Sequence, residues 1–506
     1  MNYLIGIDAG NTSSKVLLFD EFGKIIASSS TRSMRFERRM DKCEEFDLKV
    51  LWSLISECIN NVIVKARVNP SDVKGVGVTS FGNGLVFLGK YGEIISPGCF
   101  SNDYRANEIL ELYKENGNIN KINEIIKGQL FAGEPGPILR WYKEYDKPTY
   151  NQIEAILMFK DYIMYKLTGE YATDINCMGG SAMIDIDNFS YSKELMELFG
   201  IEELYEALPK LYKKPTDIVG YVNKKSASET GLLEGTPVVA GMMDILSCLI
   251  GSGGTEDYIY TLIAGSWCIN ETHSNKIVEG ASSNMPYINE GEYLNCSYTG
   301  SSGSNYEWFI KTLGDRAINE SVRRETSQFH IFDEMIKSVE PRKSKVFFSP
   351  FIAQPSIHHN AKANFINIGL NTRYDELVYS LAEGTGFIHK YHVDFLKSAG
   401  LPLKEIRLTG GIAKSNAWKQ VFADILQTPI VGVDCEETGA LGAAIVAGIG
   451  AGVYKDYSDA TSKAVKLKEP VLPNKTIQKH YDSRYKEWQK INEVMNLYWD
   501  AKDNFQ

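Results

Sequence analysis

No run of apolar residues in this 506-residue chain approaches the roughly 18 that a membrane-spanning helix needs. Its first residues do not join a charged segment to a long apolar one in the secretory manner, so a cytoplasmic chain is expected. Eight cysteines (Cys43, Cys58, Cys99, Cys177, Cys248, Cys268, Cys296, Cys435) include no C-x-x-C pair and fall mostly in apolar stretches. That spacing argues against a disulfide framework or a zinc site and for small buried thiols in a reducing compartment. Clustered cationic charge is scarce too. The net charge is −10 and the pI near 5.4, and the basic stretch RFERR at Arg35 to Arg39 is short and interrupted. A nucleic-acid partner, which needs many phosphates neutralised, is therefore not expected.

Common nucleotide signatures are missing as well. No G-x-G-x-x-G follows a strand, which excludes the Rossmann dinucleotide loop. GLVFLGK at residues 84–90 nearly matches a P-loop, but Tyr91 stands where a hydroxyl must reach Mg²⁺, and its context reads as a hairpin turn. His358 and His359 have no third ligand at useful spacing and read as a loop pair, not a metal centre. No low-complexity linker divides the chain, so any hinge must be built from ordered segments.

What is present is enough apolar residue, 43% of the chain, for two cores. Two domains with a cleft between them are expected. The octapeptide DAGNTSSK at 8–15 separates the runs Tyr3–Ile7 and Val16–Phe19, a hairpin whose turn of small residues, amides and hydroxyls can wrap an anion such as a nucleotide phosphate. A second turn at Asp20–Gly23 makes it a meander, followed by an amphipathic helix over Asp47–Ala66 and a buried-type strand at Val73–Thr79. Near residue 250 the opening recurs: Asp257–Ile263, a small-residue turn at Ala264–Ser266, then Trp267–Glu271. Two related cores closing on one nucleotide follow from that recurrence. The last third reads as a helix over 375–398, a strand at Ile406–Leu408, the turn Thr409-Gly410-Gly411, a helix capped by Ser415, and a helical tail over 476–500.

One carboxylate stands out. Asp244 interrupts the apolar stretch VVAGMMDILSCLI, and burying it there costs free energy unless it is hydrogen-bonded or has work to do. Taking a proton from an attacking hydroxyl is such work; capping a helix after Gly241 is the structural alternative. In TGGIAKSNAWKQ at 409–420, two glycines allow close backbone approach ahead of a helix.

Taken in order, phosphate hairpin, buried Asp, second hairpin and Gly-Gly before a helix resemble the FGGY carbohydrate kinases, members of the actin-like, hexokinase-like ATPase superfamily. The resemblance covers nearly the whole chain. It extends to LRWYKEYDKPTY (139–150), KDYIMYKLTGEYATD (160–174), TGGIAKSNAWKQVFADIL (409–426) and EETGALGAAIVAG (436–448). It implies an α/β fold of two actin-like ATPase (ribonuclease H-like) domains flanking a central cleft. Residues 1–250 would carry the sugar site, the first phosphate hairpin and the base, and residues 251–506 the nucleotide and a helical tail. The activity implied is transfer of the γ-phosphate of MgATP to a hydroxyl of a small carbohydrate.

The same resemblance assigns roles. Asp8 would hold Mg²⁺, while Gly10, Asn11, Thr12, Ser13 and Lys15 meet the β- and γ-phosphates. Gly265 and Ser266 would close from the second hairpin, and Gly303 in SSGSNYEWF would sit near the nucleotide; Gly410, Gly411 and Ser415 would face the adenosine. Asp244 would be the base, and Asn83, Asn102, Asp103 and Arg105 would line the sugar. SNDYRAN departs from the family's W-x-D-x-R in having Ser101 for Trp, and TSFGNG at 79–84 puts Phe81, Gly82 and Asn83 where xylulose kinases carry Gln, Met and His. The pattern is similar to the bacterial L-xylulose kinase branch, so a pentulose such as L-xylulose is the expected acceptor. D-xylulose, ribulose, a pentitol or tetritol, and gluconate are the other acceptors considered, and an ATP-gated, non-catalytic binding protein is the rival class. A small-molecule sugar partner, no nucleic acid, no membrane and a homodimer complete the expectation.

Overall fold

The computed structural model describes residues 1–31, 43–353 and 357–501, so the basic stretch at 35–39 lies outside the described residues. The chain folds into two compact units. The first comprises Met1–Thr255, His273–Asn295 and Glu437–Lys466; the second comprises Glu256–Thr272, Cys296–Glu436 and Leu467–Gln506.

In the first unit the opening meander forms as the alternation of apolar runs and turns requires. Strands Tyr3–Ala9 and Ser14–Asp20 pair antiparallel with Asp8 opposite Lys15, and Ser14–Asp20 pairs with Ile25–Ser30. Val73–Ser80 then joins parallel to the first strand, placing Thr79 beside Asp8. The seven-stranded sheet runs Ile218–Tyr221, Pro237–Val239, Val73–Ser80, Tyr3–Ala9, Ser14–Asp20, Ile25–Ser30, with the two-residue strand Met242–Met243 also pairing Val73–Ser80. One face is covered by helix Leu48–Ala66. Asp47 caps it by accepting the amides of Lys49 and Val50, and Leu48, Leu51, Trp52, Ile55, Ile59, Val62 and Ile63 are buried, the stripe expected from their spacing.

A different kind of helix covers the other face. Thr438–Gly450, from the far end of the chain, is buried from Thr438 to Gly448, and its small residues let backbones touch. A β-carbon on Gly6 would sit 1.9 Å from the Ala440 carbonyl oxygen, and one on Gly77 would sit 2.0 Å from that of Ala443. Neither strand position has room for any side chain. The helix is thereby seated with its first turn over the end of strand Tyr3–Ala9.

The second unit repeats the plan. Ile259–Ala264 and Cys268–Ser274 form an antiparallel hairpin, and Glu405–Thr409 joins the first of them in parallel. The six-stranded sheet runs Ser283–Pro286, Tyr293–Thr299, Cys268–Ser274, Ile259–Ala264, Glu405–Thr409, Ile430–Val431, and from Tyr293–Thr299 onward it follows the meander-plus-parallel order of the first sheet. Tyr374–Ser398 is the long helix of this unit, and the tail helix Gln478–Ala501 packs on it through a buried Arg484–Glu383 ion pair and a Tyr379–Tyr481 hydroxyl contact.

Candidate active site

Three parallel strands of the first unit end together, and two carboxylates stand at their ends. Asp8 is the penultimate residue of Tyr3–Ala9; its parallel neighbour Thr79 pairs with Met242, and Ser80 with Met243, the residue before Asp244. The carboxyl end of parallel strands is where ligands meet α/β sheets. Asp244 is the first residue of helix Asp244–Gly251 and not its cap; its Oδ1 accepts the Ile245 amide at 2.8 Å. Burial and the neighbouring charge of Asp8 push its pKa from 3.8 up to about 7. Burial likewise raises Asp8 to about 6, against the pull of Lys15 and with a further push from Glu437.

In both carboxyls the effect of burial outweighs any favourable charge nearby. The nearby ammonium of Lys15 is engaged by Glu437 at 2.6 Å. Oxygen donors from two mutually repelling carboxylates fit a divalent cation such as Mg²⁺, whose charge would offset both. Room at Asp8 is set by Gly439, where a β-carbon would come within 2.5 Å of Asp8 Oδ2. Between the two strands Gly10 makes the turn, with Asn11, Thr12 and Ser13 following; a β-carbon at Gly10 would lie 2.8 Å from the Ser13 carbonyl oxygen. Ser14 then anchors the hairpin, its amide donating to Thr31 Oγ1 at 2.9 Å.

The sugar-side residues divide into two kinds. Asp103 and Arg105 are buried and saturate each other: Arg105 Nε and Nη2 donate to the two Asp103 oxygens at 2.9 and 2.8 Å, and the same guanidinium reaches Glu45 and the Tyr142 hydroxyl. This is a bidentate pair, with two further bonds made by the same guanidinium. Asn102, just before Asp103 in the chain, leaves its side-chain oxygen buried and without a partner, and so does Asn83. Asn83 has a φ of 65° and donates its amide to Ser181 Oγ at 3.1 Å.

In the second unit, four expected residues converge. Gly265 and Ser266 form the hairpin turn, and their carbonyls accept the amides of Gly303 at 2.6 Å and Ser302 at 3.0 Å. Gly410, with φ near 89°, passes so close that a β-carbon would lie 2.7 Å from Ala264. Behind this turn, His389 is wholly buried. Asn270 donates its amide to the Ser297 carbonyl, which leaves its oxygen to accept from His389 Nδ1 at 2.7 Å; His389 Nε2 then accepts the Ser302 hydroxyl at 3.1 Å. Burial holds this imidazole neutral, with a pKa of about 3. Gly411 opens a short 3₁₀ turn, and Ser415 caps helix Asn416–Leu426, accepting from Trp418 and donating to Asp333.

Sequence reasoning did not single out Glu437, Gly439, Lys160, Asp174 or Asn176. The first two lie in or beside a run of small residues quoted only as a pattern, and nothing local ties that run to Asp8. The histidine pair stacks at 4.6 Å with His358 on Asp500, and among the described residues no cluster of three or more metal-ligating side chains is found. No helix among them is long and apolar enough to cross a membrane.

Residues 3–251 match the N-terminal domain of the FGGY family of carbohydrate kinases, and residues 260–451 match its C-terminal domain. The chain belongs to this family. A protein of Pasteurella multocida called probable L-xylulose kinase is 28% identical over 98% of this chain and 99% of its own length. The L-xylulose/3-keto-L-gulonate kinase of Escherichia coli is 27% identical over 97% of this chain and 96% of its own. Among solved structures, ligand-bound xylulose kinase from Lactobacillus acidophilus superposes with a TM-score of 0.88 at 20% identity, over 99% of this chain and all of that one, which establishes the two-domain FGGY, actin-like ATPase fold. The FGGY kinase described here is thus a phosphotransferase that uses ATP and an alcohol group of a small carbohydrate.

Proposed function

We propose that this kinase phosphorylates a five-carbon ketose, L-xylulose first, with Asp244 as general base. The observation that carries the reading is Asp244 itself. It stands at the end of a parallel strand beside Asp8, with a pKa near 7, where a base is both sufficiently unprotonated and sufficiently basic at neutral pH.

Phosphoryl transfer asks the protein to align acceptor and γ-phosphate and to remove one proton. In this reading Asp244 takes the acceptor hydroxyl's proton on a carboxylate oxygen. Asn83 and Asn102 accept hydrogen bonds from sugar hydroxyls through the oxygens that lack partners, while Asp103 and Arg105 act on the sugar by locking the Asn102 loop. Gly10, Asn11, Thr12, Ser13 and Lys15 meet the β- and γ-phosphates, and Gly265, Ser266 and Gly303 offer backbone to the nucleotide, with Gly410, Gly411 and Ser415 on its adenosine side. Asp8, with Asp244 near, would hold Mg²⁺, which when bound neutralises phosphate charge. The 1–250 and 251–506 division into sugar-side and nucleotide-side halves belongs to the same proposal. So do a homodimer, testable by sedimentation, and a cytoplasmic setting supported by the free cysteines.

The pentulose is supported by the relatives' names and by the pattern around SNDYRAN. A coupled assay of ADP release across ketoses, polyols and sugar acids tests it. A rise of many fold with L-xylulose is expected. A larger rise with another acceptor replaces the sugar, and a flat profile across the panel rejects the kinase reading of the site.

A further inference from the structure

The segment that delivers Asp244 is held at every residue from Ala240 to Met243, with the amides of Ala240 and Gly241 donating to the Asp217 and Pro215 carbonyls. Pro237–Val239 pairs with Val73–Ser80 through Val238 and Val76, the strand then breaks at Ala240 and Gly241, and Met242–Met243 pairs again before Asp244. At the break, Lys160 Nζ donates to the Ala240 carbonyl at 2.9 Å. Thr79 Oγ1 donates to the Met242 carbonyl at 2.8 Å. Asn176 Oδ1 accepts the Met243 amide at 3.2 Å, and its Nδ2 donates to the Pro286 carbonyl at 2.8 Å.

Lys160, Asp161 and Asp174 are wholly buried, with the ammonium 2.7 Å from both carboxylates. Asp174 also caps the six-residue helix Ile175–Gly180 by accepting the Cys177 amide at 2.9 Å. That helix bears Asn176. At its other end, a β-carbon on Gly180 would lie 2.4 Å from Met243 Cε, and the next residue, Ser181, receives the Asn83 amide. One rigid element therefore touches both the residue before the base and the loop of Asn83.

We infer that Asn176 is a positioning residue that sets the Asp244 carboxylate against the acceptor hydroxyl. It rests on the reading of Asp244 as base. The amide is suited to the task because it must accept from Met243 and donate to Pro286 at once, which neither carboxylate nor aliphatic side chain can do. A misplacement of about 1 Å at a reacting group can cost about 100-fold in rate.

The test uses the full chain with MgATP and the sugar that the panel identifies. Asn176→Ala is expected to lower kcat about 10-fold to 100-fold with KM for ATP unchanged within about twofold. Asn176→Asp keeps the acceptor for Met243 and is expected to recover part of that loss; if Asn176→Ala does not fold, Asn176→Asp alone decides, with a kcat loss at constant KM supporting the role. A kcat within twofold of the parent overturns it. So does a parallel loss in kcat and both KM values with lowered melting temperature and no recovery in Asn176→Asp. Asp244→Asn separates the two readings: if it keeps full turnover the base assignment fails, whereas an inactive Asp244→Asn beside an unaffected Asn176→Ala removes only the positioning role.

Discussion

Replacing Asp244 with Asn should make this protein more stable while disabling it. The folded-state pKa of Asp244 lies near 7 against an ordinary 3.8, first because the group is buried and second because Asp8 is near. A carboxyl whose folded pKa is raised binds its proton more tightly in the folded state. Its contribution therefore turns against stability as pH climbs above 3.8, and the loss is complete once pH passes about 7. At about 1.4 kcal/mol per pH unit the full cost is up to about 4 kcal/mol; the side chain keeps some surface open to solvent, and about 2 kcal/mol is the figure to expect after screening. Asn retains an oxygen for the Ile245 amide, so the substitution removes the charge and little else. Urea unfolding of parent and Asp244→Asn at pH 8 should show the variant ahead by about 2 kcal/mol, and at pH 4.5 by about a quarter of that. Added Mg²⁺ should stabilise the parent more than the variant at pH 8. Turnover should fall by about 10² to 10⁴. A variant no more stable than the parent at pH 8, or a gap that does not change with pH, would refute the electrostatic account.

Other residues give sharper structural outcomes. Gly439→Ala places a β-carbon 2.5 Å from Asp8 Oδ2; a stability loss of about 1–3 kcal/mol is expected from overpacking, together with weaker Mg²⁺ stabilisation in thermal melts. Lys160→Met strands two buried carboxylates, and chemical denaturation should register about 3–5 kcal/mol of destabilisation. His389→Leu removes the partner of both the Ser302 hydroxyl and the Asn270 oxygen. About 1–3 kcal/mol should be lost for each orphaned group, with KM for ATP rising more than kcat falls, because Ser302 carries the Gly303 turn.

Local pattern was enough for the parts of this fold that are local. The meander around DAGNTSSK, the stripe of helix Leu48–Ala66 and the Ser415 cap each depend on residues within a few positions, and each forms where its spacing indicates. GLVFLGK likewise becomes a strand and turn, Leu85–Leu88 followed by Lys90–Gly92. Asp244 was legible for another local reason, a lone charge among apolar neighbours. Its surroundings were not: the approach of Asp8 and Asn176 depends on parallel pairing between segments far apart in the chain.

The same logic explains why Asp103 and Arg105 could be found but not understood from sequence. Charged residues two apart in a loop look free to meet a ligand, whereas in the folded chain they are joined to each other, to Glu45 and to Tyr142. A buried ion pair with four of the guanidinium's hydrogen bonds made inside the protein is well suited to holding the loop that begins at Asn102. Glu437 makes the complementary point. It is 422 positions from Lys15 and reaches it because the small-residue helix Thr438–Gly450 slots against Gly6 and Gly77, where any side chain would collide with its backbone. The glycines that seem to be mere spacers within strands thus decide which charge stands beside the DAGNTSSK hairpin, and substituting them should perturb Asp8 electrostatically without touching it.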